Sequence, residues 1–379
     1  MKSFRKLNLT SYLSLFIICI FTLVFGILSL SGMRLDSSLL FLLEKIAISI
    51  VLAVSLSVVV GFLGELSLGH AGFMCVGAYI GGKVAALLEP VLGNSVPALL
   101  ISFVVGGIVA AVCGFVIGMP ALRLRGDYLA IVTLAFGEIV RSLFLNSSDE
   151  SFGGTLGLPT PRFDKKYLFI FAFVMVIITI VAVQNFIRSK HGRAVTAIRD
   201  NEIAARACGI NVTKYKLLAF IISAFFAGIA GVLYSFSNYT VQSATFGYNY
   251  SIEILVMVVL GGMGNINGAI ISATLITYLD TKLATVLTGD LAVLQNLIYA
   301  LILIVIVIYN NAPALKSFRE RYNLGVLLRK LSKNNPENVH DDEAKWDKIP
   351  TKIEMNEILS IDMKPQNLGS DKRDKGGDE

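Results

Sequence analysis

Charged side chains are scarce in this sequence of 379 residues. Only 16% of the residues are Asp, Glu, Lys or Arg, whereas 55% are hydrophobic. A soluble globular chain carries roughly 25% charged residues. With 9 prolines and 33 glycines, the chain also lacks the composition of collagen-like or low-complexity sequences. These shortages exclude an ordinary soluble enzyme and predict a membrane protein.

Cysteine and histidine are too few and too dispersed for a metal centre or a disulfide framework. The four cysteines have no paired spacing, and the three histidines form no H-E-x-x-H motif. Residues 77–84 approach the phosphate-binding loop G-x-x-x-x-G-K-[S/T], but Val84 replaces the hydroxyl that would bind Mg²⁺. We therefore expect no metal site, no cofactor and no ATP hydrolysis by this chain's own residues.

Apolar runs long enough to span a bilayer occur throughout the first 315 residues. A transmembrane helix needs about 20 apolar residues. The candidate segments are 12–31, 39–60, 71–88, 98–119, 128–145, 167–187, 217–236, 254–279 and 291–314. The sequence predicts an all-α, polytopic membrane helix bundle of about ten segments, because the run 254–279 is expected to count twice.

Glycine interrupts two of these segments. In 254–279, the run from Gly261 to Gly268 contains four glycines and two asparagines. A single crossing there would put the basic start of the C-terminal tail outside the cell, so we expect two short passes or a re-entrant pair. The stretch 61–88 is similarly rich in glycine. One interrupted segment in each half of the chain suggests two repeats of opposite orientation.

Basic residues mark the cytoplasmic side. The loop 188–216 holds seven Lys or Arg against two acidic residues, which is the strongest such signal in the chain. The positive-inside rule then places both termini in the cytoplasm and residues 146–166 outside. The basic surplus predicts contact with anionic lipid and no binding of nucleic acid.

The chain divides into two parts by composition. Residues 1–315 form a transmembrane domain with the loop 188–216 within it, and residues 316–379 contain 13 basic and 13 acidic side chains. The composition of this neutral, hydrophilic tail cannot bury a core. We expect it to be a cytoplasmic tail, largely disordered after about residue 335.

A few polar residues inside the apolar segments are candidates for a substrate pathway. Ionisable groups in a bilayer usually face a polar cavity or a partner. The alternative is that Glu65 and His70 only cap a helix break at the cytoplasmic face. The candidate pathway residues are Glu65, Ser67, His70, Glu253, Gly261, Gly262 and Gly264.

The segment 192–211 has the signals of a short capped helix between two spans. Asp200 or Asn201 can cap it, Glu202 and Arg206 are four residues apart, and Gly209 can end it. We expect a rigid helix of about two turns that docks a partner, rather than an idle loop. The candidate docking residues are Arg193, Arg199, Asp200, Glu202, Ala204, Ala205, Arg206 and Gly209.

The spacing of Glu202, Ala204, Ala205 and Gly209 resembles the E-A-A-x-x-x-G coupling motif of ABC-importer permeases. The chain is similar to the branched-chain amino acid permease family of LivM and LivH type. The similarity rests on five blocks in order, within 64–72, 124–134, 153–158, 193–231 and 251–268. At the position of Glu65, that family more often has Gln.

This resemblance implies a permease subunit that carries leucine, isoleucine or valine and is usually heterodimeric. It also implies a location in the cytoplasmic membrane, the inner membrane of a bacterium. It also implies two ATP-binding subunits that hydrolyse the ATP, a second homologous permease and an extracytoplasmic binding protein. Two alternatives stay open: a urea or short-amide permease of the same family, and an ion-coupled amino acid carrier without ATPase partners. A membrane-embedded enzyme would need clustered catalytic residues, which the sequence does not offer.

Overall fold

The computed structural model describes residues 18–23, 26, 36–93, 95–124, 126–161, 163, 165–286, 300–301 and 304. The chain forms two compact units, Met1–Asn310 and Asn311–Glu379, and the second lies outside the described residues. The predicted segments 12–31 and 291–314 lie mostly outside them as well, as does the predicted tail.

The described part is a helix bundle, as the sequence predicts. Its helices in chain order are α1 (Ser37–Ser57, continued by a π-helical turn Val58–Leu63), α2 (His70–Leu92), α3 (Val96–Ala121), α4 (Asp127–Leu145), α5 (Asp149–Phe152), α6 (Lys165–Arg188), α7 (Lys190–Asp200), α8 (Glu202–Ala207), α9 (Val212–Asn238), α10 (Tyr248–Gly261) and α11 (Ile266–Val286). A 3₁₀ turn, Ser243–Phe246, precedes α10.

Within the described residues, six helices are long and apolar enough to cross a membrane. They are Ser37–Leu63, His70–Leu92, Val96–Ala121, Asp127–Leu145, Tyr167–Arg188 and Val212–Asn238, and each coincides with a predicted segment. The chain is therefore a multi-pass membrane protein. The total of about ten segments stays a prediction.

The central helix of the bundle is α1. The most apolar window of Ser37–Leu63 is entirely buried, and the helix packs against α6, α9, α10 and α11. Its start follows from the sequence, because the carboxylate of Asp36 accepts a hydrogen bond from the backbone N–H of Ser38 at 3.2 Å.

Helices α2, α3 and α9 pack on one another through small residues. A Cβ atom on Gly77 would lie 2.1 Å from the carbonyl oxygen of Gly228, and one on Gly231 would lie 2.0 Å from that of Met74. Only glycine permits backbones to approach so closely, which is a usual way for helices to associate in a membrane. These contacts fix the crossing of α2 and α9.

Both glycine-rich segments are broken in the structure. The π-helical turn ends at Gly64, whose φ is +79°, and residues 65–69 are non-helical before α2 begins at His70. The second break separates α10 from α11 at residues 262–265, where Gly262 and Gly264 have φ of +88° and +82°. The predicted interruption of 254–279 is thus present, and α10 and α11 form a helical hairpin.

A two-residue antiparallel pairing joins two loops at one end of the bundle. Leu158 pairs with Val241 and Pro159 with Thr240. The first strand precedes α6 and the second follows α9, whereas α7 and α8 lie between these two spans. We call the end with the paired strands the sheet end and the opposite end, with α7 and α8, the coupling end.

Candidate coupling unit and helix breaks

Helices α7 and α8, residues 190–207, form a compact unit at the coupling end, which we call the coupling unit. The hydroxyl of Ser189 caps α7 by accepting from the N–H of Gly192 at 3.2 Å, and the side chain of Asn201 caps α8 by accepting from Ala204 at 3.0 Å. Gly209, at φ +80°, follows α8. The sequence predicts one helix here; the structure has two, because Asn201 adopts an extended conformation between them.

A buried lysine ties the coupling unit to the transmembrane part. Lys216 lies one turn inside α9, and only 4% of its side chain is exposed. Its ammonium donates to Glu65 Oε1 at 2.5 Å and to Glu202 Oε2 at 3.2 Å. Arg206 donates to the other oxygen of Glu202 at 2.6 Å. Four alternating charges thus connect α8, α9 and the break that follows α1.

Sequence analysis did not single out Lys216, although it counted its charge in the basic loop. The residue stands at the start of an apolar span, where a lysine with no carboxylate nearby would be costly. That position is the one signal that could have identified it. Its partner Glu65 is 151 residues away in the sequence, so the pair itself has no local signature.

Arg199 forms a second link between the coupling unit and the helix breaks. Its Nη1 donates to the carbonyl of Gly61 at 3.2 Å, and its Nη2 bonds Asp200 at 2.9 Å. A Cβ atom on Gly64 would lie 2.7 Å from Arg199 Cγ, and a Cβ atom on Gly264 would lie 3.5 Å from Arg199 Nη1. The aliphatic part of Arg199 therefore covers the end of the first break, and its guanidinium reaches the second.

The two breaks also touch each other directly. A Cβ atom on Gly61 would lie 2.6 Å from the backbone nitrogen of Gly264. The end of the first long span and the turn of the α10–α11 hairpin therefore meet beneath Arg199, and a displacement of this side chain would disturb both.

After the first break, the chain turns back into the bundle. The N–H of Leu68 donates to the hydroxyl of Thr133, six residues into α4 and so roughly 9 Å from its start. The adjacent Gly69 lies against the backbone of Thr133, where a Cβ atom would be 2.4 Å from the carbonyl oxygen. Helix α2 therefore begins inside the bundle rather than at its surface.

Helix α10 begins at a comparable depth, but its chain arrives from the sheet end. The N–H of Tyr248 donates to Glu138 Oε1 at 2.9 Å, and Glu138 is eleven residues, roughly 16 Å, along α4. Ser251 accepts from the N–H of Ala71 at 3.1 Å, which joins the first turns of α10 and α2. Two helix N-termini thus converge near the middle of the bundle, and their chains enter from opposite ends.

The predicted pathway residues do not gather into one site. Glu65 pairs with Lys216, and Ser67 is buried. His70 is also buried, and its Nε2 lies 2.8 Å from the hydroxyl of Ser55. Glu253 lines a cavity between helices, described below. Gly261, Gly262 and Gly264 belong to the α10–α11 hairpin, where Gly261 packs on Gly268.

The predicted docking residues, in contrast, share the coupling unit. Arg193, Arg199, Asp200, Glu202, Ala204, Arg206 and Gly209 lie on it or directly after it, and Ala205 packs inward. Ile203, at 79% exposure, adds a large apolar side chain to the free surface. In the described part of the chain, no group of three His, Cys, Asp or Glu side chains could hold a metal ion.

The fold is therefore a multi-pass helix bundle with a short helical unit at one end and two helix breaks that meet beneath it. The family described as "Branched-chain amino acid transport system / permease component" matches residues 38–308. The chain belongs to this family.

Curated relatives agree with this assignment and also show its breadth. The chain is 38% identical over 260 residues to the high-affinity branched-chain amino acid transport system permease protein LivM of Salmonella typhimurium and to that of Escherichia coli. Each match covers 60% of this chain, and the chain spans about 60% of the length of these relatives. It is also 25% identical over 294 residues to the ribose import permease protein RbsC of Escherichia coli, covering 71% of this chain and 84% of RbsC.

Proposed function

We propose that this chain is the permease subunit of an ATP-binding cassette importer that carries branched-chain amino acids across the cytoplasmic membrane of a bacterium. Two separate ATP-binding subunits would hydrolyse the ATP, and this chain would have no ATPase site of its own. A second homologous permease subunit and an extracytoplasmic binding protein would complete the assembly. Both termini and the coupling unit would face the cytoplasm.

The observation that carries this proposal is the connection between the coupling unit and the helix breaks. The exposed face of α8, with Ile203 and Arg206, is available to a partner, while Glu202 and Arg199 bind inward to Lys216 and Gly61. A movement imposed on the outer face of the unit would therefore act on both breaks. An ATP-driven importer needs this kind of connection between its motor and its passage.

The helix ends inside the bundle support an amino acid as the cargo. The N-termini of α2 and α10 carry partial positive charge from their first N–H groups, which favours a carboxylate nearby. The carbonyls of the non-helical residues before them could accept from an ammonium group. The LivM relatives favour leucine, isoleucine or valine, and RbsC keeps a sugar as an alternative cargo.

The first test is whether the purified chain brings partners with it. Tagged protein extracted in a mild detergent should carry two ATP-binding proteins and a second permease. Reconstituted in proteoliposomes with its binding protein, the assembly should take up leucine, isoleucine or valine only when ATP is present. Preferential uptake of urea or ribose would show that the cargo is not a branched-chain amino acid. Uptake without any ATPase partner would favour the ion-coupled carrier.

The second test addresses the coupling unit. Gly209 has φ +80°, and no atom of the described residues lies within 4 Å of an added Cβ, so Gly209→Val strains the backbone without a packing clash among them. Such strain costs roughly 1–2 kcal/mol or more. We expect this variant, and the charge reversal Glu202→Lys, to uncouple ATP hydrolysis from uptake while membrane insertion is kept. Gly93→Val is the matched control, because Gly93 has φ +63° and equally open space but lies after α2, away from the coupling unit.

Normal uptake per ATP in both Gly209→Val and Glu202→Lys would refute the role of the coupling unit. Equal uncoupling by Gly93→Val would do the same, because the effect would then follow from general backbone strain.

A further inference from the structure

A polar cavity lies within the bundle, away from the helix breaks. Its volume is about 200 Å³, and it is lined by residues of α1, α9, α10, α11 and the 3₁₀ turn before α10. Lys45 on α1 and Asp280 on α11 are both nearer the sheet-end termini of their helices than the coupling end. The cavity therefore occupies the half of the bundle that the sequence places toward the outside.

Three ionisable side chains from different helices line this cavity. They are Lys45 of α1, Glu253 of α10 and Asp280 of α11. Groups of this kind inside a membrane protein usually mark a path for a polar substrate.

The wall of the cavity also contains a polar group without a partner. Thr277 lines the cavity, its residue is only 5% exposed, and its hydroxyl has no hydrogen-bond partner among the described residues. A buried hydroxyl left unpaired is unfavourable, and a ligand polar group in the cavity could pair with it. Ser49 is also buried in this wall.

We propose that this cavity is a binding site for an α-amino acid zwitterion on the outer side of the passage. The ammonium of Lys45 and the hydroxyl of Thr277 would bind the carboxylate of the ligand, and Glu253 would bind its ammonium. The inference rests on the proposed function and adds to it a location and named ligand contacts. Sequence analysis named Glu253 as a pathway residue but gave it no partners.

The chemistry of the wall distinguishes this ligand from others. A neutral sugar offers no charge to either Lys45 or Glu253, whereas a zwitterion offers one of each sign. The described residues contain no cluster of ligands for a metal ion. The volume is below the roughly 300 Å³ at which drug-sized pockets begin, and so it suits a molecule as small as an amino acid.

The experiment measures equilibrium binding of radiolabelled leucine to the complete importer in lipid nanodiscs, without the binding protein. The competitors are 4-methylvalerate, which lacks the ammonium, isoamylamine, which lacks the carboxylate, and ribose. The variants are Glu253→Gln, Lys45→Met and Thr277→Val. Lys282→Met is the matched control, because Lys282 is exposed on α11 and does not line the cavity.

Wild type should bind leucine saturably and better than any of the three competitors. Each of Glu253→Gln and Lys45→Met should weaken leucine binding roughly 10- to 100-fold, the usual worth of a hydrogen bond to a charged group. Thr277→Val should weaken it by a smaller factor, and Lys282→Met should leave it unchanged. In the full importer, Glu253→Gln should lower the maximal uptake rate without changing the half-saturating concentration, which the binding protein sets.

Wild-type leucine affinity in Glu253→Gln and Thr277→Val would overturn the proposal, and so would the absence of saturable binding by an importer that transports leucine. Thr277→Val keeps the test valid if a charge variant fails to assemble, because valine has nearly the shape of threonine. Failure of the proposed function looks different, since wild type would then show no ATP-driven uptake of any branched-chain amino acid.

Discussion

Replacement of Lys216 by methionine removes the charge that holds the coupling unit against the bundle, while it keeps a long, helix-forming side chain. In the structure the ammonium lies between Glu65 and Glu202, whose side chains are 14% and 23% exposed. Breaking a fully buried ion pair costs about 3–5 kcal/mol, because the remaining charge loses its compensation. Both carboxylates retain some water, so we expect roughly 2–3 kcal/mol here.

That loss corresponds to a shift of roughly 30- to 140-fold in the equilibrium between docked and undocked coupling units, at about 1.4 kcal/mol per factor of ten. Hydrogen–deuterium exchange of the α8 amides in nanodiscs should report it as faster exchange. The amount of substrate taken up per ATP should fall in the same preparation. Exchange in α3, which carries none of the four charges that link α8 to the bundle, serves as the internal control.

Two further variants test the cause. Glu65→Gln should be milder than Lys216→Met, because Lys216 keeps Glu202 as a partner. The double variant should be less harmful than the sum of the single changes, since Glu65 no longer remains as an unpaired buried carboxylate. If Lys216→Met left both the exchange of α8 and the uptake per ATP unchanged, the argument for an electrostatic link would be wrong.

Two other changes test neighbouring features. Arg199→Met removes the hydrogen bond to the carbonyl of Gly61, so we expect ATP-driven uptake in proteoliposomes to fall roughly tenfold. Arg199→Lys should recover part of the rate. Equal rates in Arg199→Met and wild type would count against this link. Gly231→Ala places a Cβ atom 2.0 Å from the carbonyl of Met74 and should force α2 and α9 apart; we expect little monodisperse protein in size-exclusion chromatography, and a wild-type yield would contradict the packing.

The helices and their breaks could be predicted because their causes are local. A long apolar run has no stable alternative to a helix in lipid, and each of the six long described spans falls where such a run occurs. Gly262 and Gly264 adopt positive φ, a conformation that other residues rarely accept, so the composition of 261–268 already indicated a turn. The cap of α8 follows in the same way from Asn201, one of the two residues named as a cap from the sequence, whereas α7 and its cap Ser189 were not predicted.

The contacts between distant segments could not be predicted. A single sequence does not reveal that Glu65 contacts Lys216. The sequence therefore left two interpretations of Glu65 open, a substrate-pathway residue or a cap of a helix break. The cavity near Glu253 is similarly assembled from several separate helices, and Lys45 alone resembles any charge in a span. The strands at the sheet end are two residues long, too short to show the alternation that identifies a strand.

The small strand pair at the sheet end joins two loops that are distant in the sequence, so that they move together. Leu158 and Pro159 hold Val241 and Thr240, the N–H of Thr160 donates to the carbonyl of Tyr239 at 3.0 Å, and Val241 is followed closely by the 3₁₀ turn that leads into α10. A protein that docked on the loop before α6 would therefore act on α10 through these backbone hydrogen bonds. Helix α10 carries Glu253 and ends at the hairpin under Arg199. One helix is thereby exposed to forces applied at either face of the membrane.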